Sequence, residues 1–91
     1  MPVKVRVPTT LRTLTAGKYE VEVDGETVGE IITALESVHP GFTDRLLDED
    51  GKLRRFVNVF VADDDVRFLE GLDTKVPEGE TVSIVPAVAG G

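Results

Sequence analysis

The chain has 91 residues, 41% hydrophobic and 30% charged, a size and balance that suit one folded domain rather than a disordered segment. Seventeen acidic residues against ten basic ones give a net charge of −7, which repels phosphate backbones and argues against a nucleic-acid partner. Cysteine is absent, no apolar run is long enough to span a bilayer, and MPVKVRV lacks the apolar core of a signal peptide; disulfides, thiol catalysis and thiolate metal sites are excluded, and a cytoplasmic protein with no membrane partner is expected.

Val3, Val5 and Val7 alternate with Lys4 and Arg6, the period of a half-buried strand, and Pro8 ends it. TTLRTLTAG reads as a loop closed by Gly17. Tyr19, Val21 and Val23 then alternate with Glu20, Glu22 and Asp24 up to an Asp24-Gly25 turn, so the two strands are expected to form an antiparallel hairpin. Thr27 and Glu30 have the spacing of a capping box. Behind them Val28, Ile31, Ile32, Leu35 and Val38 fall on one helical stripe, stopped by Pro40-Gly41. Phe42, Leu46 and Leu47 suggest a short helical turn, and Asp50-Gly51 a reversal.

RFVNVFV is the strongest strand, with Val57, Val59 and Val61 on one face and Phe56, Asn58 and Phe60 on the other. A brief strand is expected at Val66–Phe68, a turn at Gly71-Leu72 and another at PEGE. In the last strand Val82 and Ile84 alternate with Ser83 and Val85, and Pro86 marks where the sheet should end. A single helix must cover one face of a mixed sheet of four or five strands, an α+β arrangement whose natural solution sets the first and last strands side by side in the middle: the β-grasp, or ubiquitin-like, fold. The expected division is a β-grasp domain over 1–86 and a tail over 87–91.

The helix-side face then holds Val3, Val5, Val7, Val57, Val59, Val61, Val82 and Ile84, and the opposite face Lys4, Arg6, Phe60, Ser83 and Val85. Phe56, Phe60 and Val85 are therefore apolar on the uncovered side. Either they are the scattered surface residues every protein carries, or they form a docking patch.

The body of the chain offers no active site. His39 is the only histidine, without a partner for a metal. Asp63-Asp64-Asp65 lacks the spaced ligands of a calcium loop and reads as a solvated turn. No glycine set makes a phosphate loop, and neither Thr9-Thr10 nor Ser83 has a histidine base near it in sequence. What remains is PAVAGG, residues 86–91. A terminal carboxylate becomes a strong electrophile once converted to an acyl-adenylate, and a sulfur donor would turn it into a thiocarboxylate whose ionised sulfur is nucleophilic, as thiolates are. Gly90 and Gly91 are thin enough to thread a narrow tunnel and leave the reacting carbonyl unhindered.

TTLRTLTAGK, the block from Arg54 to Gly91, and above all the terminal Gly90-Gly91 resemble the ubiquitin-like sulfur carriers of the MoaD/ThiS type, over nearly the whole chain. The FVNVFVADDDVRFLEGLDT block looks most like the cysteine-biosynthesis branch of that family, and thiamin-type carriers lack much of Phe42–Arg55. The resemblance implies a carrier that catalyses nothing itself and binds no cofactor or metal. An activating enzyme of the ubiquitin-activating kind, an adenylyltransferase and sulfurtransferase, consumes ATP at Gly91 and leaves sulfur covalently bound there. A PLP-dependent cysteine synthase that uses O-phosphoserine accepts the sulfur. A zinc metalloprotease then releases cysteine from the C-terminus. Val88, Ala89 and Gly90 correspond to the threading tail, and Phe60, Val85 and Arg6 to the partner-docking face of a carrier that is monomeric alone. Two readings share the same terminus: the small subunit of molybdopterin synthase or a thiamin-type carrier, and a ubiquitin-like modifier joined to lysines.

Overall fold

The computed structural model describes residues 2–86, so Val88, Ala89, Gly90 and Gly91 lie outside the described residues. Five strands form one mixed sheet: β1 (Pro2–Arg6), β2 (Glu20–Asp24), β3 (Val57–Val61), β4 (Asp64–Asp65) and β5 (Thr81–Pro86), in the order β2-β1-β5-β3-β4. β1 runs antiparallel to β2, with Val3 opposite Val23 and Val5 opposite Val21, which is the expected hairpin. β5 lies parallel to β1 (Val5 opposite Val82) and antiparallel to β3 (Val59 opposite Ile84), so the first and last strands do share the centre. Such a β1–β5 pairing is long-range and needs a helical crossover to turn the chain. That crossover is α1 (Val28–Val38), followed by a short second helix, α2 (Phe42–Leu46).

The valine alternation sets the core. Val3, Val5, Val7, Val21, Val23, Val59, Val61, Val82 and Ile84 are buried against Val28, Ile31, Ile32 and Leu35 of α1, with Phe42 and Leu46 of α2 closing one end. Val57 is only half-buried, because it sits at the end of its strand. Val38 leaves the stripe at 63% exposure: one turn past Leu35 the helix overruns the sheet. Thr27 caps α1 by accepting the Glu30 N–H through its Oγ1 at 3.2 Å. The Glu30 carboxylate reaches back to the N–H of Glu26 (2.9 Å), one residue beyond the N-cap where a capping box would end. At the other end Glu36 turns back to accept the N–H groups of Thr43 (2.8 Å) and Gly41 (3.1 Å), which caps α2 and pulls its carboxyl below the usual range, the Thr43 bond contributing most. Gly41 takes φ 113°, which an L side chain rarely adopts.

Three local expectations are corrected. Thr9–Thr15 is a 3₁₀ helix rather than a loop; Leu11 is buried in the core, and buried Thr15 donates to the Lys18 carbonyl at 2.7 Å. Tyr19 continues the period of Val21 and Val23 but stands just outside β2, 66% exposed. The brief strand lies at Asp64–Asp65, paired with Phe60 and Val61, and Val66–Phe68 is a 3₁₀ turn that Asp65 caps through the Arg67 N–H (2.9 Å). The aspartate run is thus partly an edge strand, where charge discourages further pairing, and Val66 behind it is fully buried.

Candidate functional site: the end of the central strand

β5 is held on both sides. Val82 and Ile84 point into the core at 2% and 4% exposure, and the strand keeps its register with β3 through Pro86, opposite Val57. In the sequence, residues 87–91 follow directly on this central strand. The 1–86 and 87–91 division, with the proposed reactive Gly91, lies partly outside the described residues.

The structure brings the three predicted docking residues together on the uncovered face. Arg6 and Phe60 stand opposite Ser83 from its two sides, so they flank β5 in one cross-strand row, about 10 Å apart by strand spacing. Val85 lies two residues further along the same face, 43% exposed and opposite Asn58; Phe60 is half-buried. Arg6 approaches Glu20 of β2 at 3.9 Å, an exposed pair of the kind worth about 0–1 kcal/mol. Its guanidinium therefore remains available to a partner.

Sequence reasoning missed two arginines here. Arg12, from the 3₁₀ helix, donates Nε–H to the Val7 carbonyl at 3.1 Å. With Arg6, Thr9, Ser83, Val85 and Pro86 it lines an open groove of about 460 Å³ beside the end of β5. Arg67 crosses from the turn after β4 and donates to Asn58 Oδ1 at 2.6 Å and to the Arg54 carbonyl. Arg12 lies within TTLRTLTAG, where the local pattern gives it no role, and no linear pattern places Arg67 against β3. Among the described residues no group of His, Asp and Glu is arranged to hold a metal ion, and no helix is long and apolar enough to cross a membrane.

A five-stranded mixed sheet with parallel central strands and a helix packed across one face defines a β-grasp, ubiquitin-like protein. The chain belongs to the ThiS family, which it matches over residues 5–91. It is a homologue of the sulfur carrier protein CysO of Mycobacterium tuberculosis, 48% identical over 93 residues that span both chains completely. It also superposes on a chain of the crystal structure of the Amycolatopsis orientalis BexX/CysO complex with a TM-score of 0.92 and 54% identity, covering 98% of this chain and 99% of that one. Small archaeal modifier protein 3 of Haloferax volcanii is 40% identical over 68 residues, 75% of this chain and 73% of the relative.

Proposed function

We propose that the chain carries sulfur as a thiocarboxylate at Gly91 and delivers it to cysteine synthesis. The observation that carries the reading is the full-length likeness to CysO, joined to a central strand that leads straight into Pro86 and the Gly90-Gly91 tail. The Gly91 carboxylate attacks the α-phosphate of ATP held by an activating enzyme, giving the acyl-adenylate and pyrophosphate. Hydrosulfide from a sulfur donor then attacks the carbonyl, the C–O bond to AMP breaks, AMP leaves, and loss of the sulfur's proton gives the thiocarboxylate. Its soft, ionised sulfur is the nucleophile for a PLP-dependent, O-phosphoserine-using cysteine synthase, and a zinc metalloprotease frees the cysteine formed on the C-terminus. In this scheme the domain supplies a handle, not catalysis. Arg6, Phe60 and Val85 meet the activating enzyme, while Val88, Ala89 and Gly90 thread its tunnel.

Intact-mass analysis after incubation with ATP, an activating enzyme and a sulfur donor tests this. The expected product has one oxygen replaced by one sulfur at Gly91. An unchanged mass with an activating enzyme shown to be competent on another carrier would refute it.

The likeness to small archaeal modifier protein 3 favours a second reading, attachment through Gly91 to lysines of other proteins. Isopeptide remnants on cellular proteins would support it in place of the first.

A further inference from the structure

The acidic residues are unevenly placed. None occurs in 1–19, 51–62 or 81–91, although the chain has 17, and seven of its ten basic residues fall in those stretches. The topology gathers the stretches. β1 ends and β3 begins at the end of the sheet where β5 finishes, because β1 is parallel and β3 antiparallel to β5. The β3 side of that end carries Arg54, Arg55, Phe56 and Arg67, all exposed. Phe56 keeps 54% of its surface open and the Arg55 guanidinium lies 5.8 Å from its ring centre, an arrangement that holds both in place. The Arg67 guanidinium is tied to Asn58 and the Arg54 carbonyl, and Arg54 Nε–H donates to the Asp44 carbonyl at 3.1 Å. Every one of these acceptors is neutral, and none of the three arginines is ion-paired among the described residues. Asp48 borders the corner, but its Oδ1 accepts the N–H groups of Asp50 and Lys52 in its own turn.

We propose that this corner is a docking surface for an acidic segment of the enzyme that activates the C-terminus, engaged beside the end of β5 on the side away from Arg6 and Arg12. Three oriented cations without an ion pair among the described residues, on a molecule with an excess of carboxylates, form a local field opposite in sign to the net charge. An acidic partner segment is attracted there and repelled by the carboxylate-rich parts of the surface, which orients the encounter before the tail is threaded. The bare face of Phe56 supplies an apolar anchor within the charged patch. Asn58 and Val57, behind the corner, pair directly with Val85 and Pro86, so a partner seated on it is beside the strand that feeds the tail.

The inference rests on the carrier reading, and ATP–pyrophosphate exchange by the activating enzyme separates the two. Arg55→Glu and Phe56→Ala are the variants, since neither side chain hydrogen-bonds the fold. Lys75→Glu, exposed near the start of α1 at the other end of the sheet, matches the charge change. Arg55→Glu is expected to raise KM for the carrier about tenfold at low salt with kcat little changed, and the gap from wild type should close at high salt. Phe56→Ala should raise KM at both salt levels, and Lys75→Glu should leave it within about twofold. Equal effects of Arg55→Glu and Lys75→Glu, or no effect of either, would overturn the docking surface while leaving the carrier role intact. So would an unchanged KM with loss of binding to a single-stranded oligonucleotide. No exchange with the wild-type chain would overturn both readings.

Discussion

Ile84→Ala and Val85→Ala, made separately, test the register on which the site depends. The two residues are adjacent on β5, one at 4% exposure facing α1 and the other at 43% facing solvent. Ile84→Ala deletes three buried carbons, at about 0.8 kcal/mol each, so about 2.4 kcal/mol is a floor. The cavity left between α1 and the sheet adds about 24 cal/mol per Å³, bringing the cost to about 3–4 kcal/mol. Val85→Ala removes two carbons already in partial contact with water and should cost about 0.5 kcal/mol. In a domain of this size each kcal/mol moves Tm by about 4–8 °C, so calorimetry should show a fall of about 12–30 °C for the first variant and under about 5 °C for the second. Urea melts with unchanged m-values would attribute both effects to the native state. Equal losses, or a larger loss for Val85→Ala, would refute the reasoning, because a one-residue slip of β5 exchanges its two faces and removes Val85 from the uncovered face.

Two further outcomes follow from the caps. The Glu36 carboxyl is held below its ordinary pKa by the Thr43 and Gly41 N–H groups, so its contribution is present above the unfolded-state pKa and disappears as pH falls through the folded one. Glu36→Gln should therefore lower Tm near neutral pH and match wild type in strong acid; a Tm difference that does not change with pH would show that the charge plays no part. Thr27→Ala should cost about 1 kcal/mol by leaving the Glu30 N–H without its acceptor, read as a shift of the urea midpoint. Thr27→Ser should restore most of that loss, and failure to do so would implicate the methyl group rather than the cap.

Much of the fold was legible because the valines alternate so regularly. Val3, Val5, Val7 and Val21, Val23 specify an inward face at every second position, and Thr27 with the Ile31, Ile32, Leu35 stripe specifies one covering helix. One helix and alternating strands leave few ways to bury that surface, so the central pairing of β1 with β5 followed from the chain alone. The candidate site was read in the sequence at PAVAGG, of which only Pro86 is among the described residues, and residue by residue at Arg6, Phe60 and Val85, which the fold sets on one face. Their neighbourhood was not, since the cross-strand row depends on register between strands distant in sequence, Arg6 with Ser83 and Phe60 with Ser83, which no local period encodes.

The remaining differences share one cause. Tyr19 and Val38 continue the right period but lie past the reach of the covering layer, so periodicity marks a direction while the length of the opposing element decides burial. Val66–Phe68 has the composition of a strand, yet the Asp65 cap bends it into a 3₁₀ turn once Asp64 and Asp65 have taken the edge of β3. Arg67 reaches Asn58 and Arg54 from that turn, and Glu36 meets Gly41 and Thr43 across the reversal at Gly41, contacts that no local pattern prescribes. The sequence by itself determined the covered face and the helix start, and it alone carries the proposal for the Gly90-Gly91 tail, because each depends on chemistry within a few residues. Tertiary structure alone decided which arginines stand around the end of β5, because their positions are set by strands that meet only in the folded sheet.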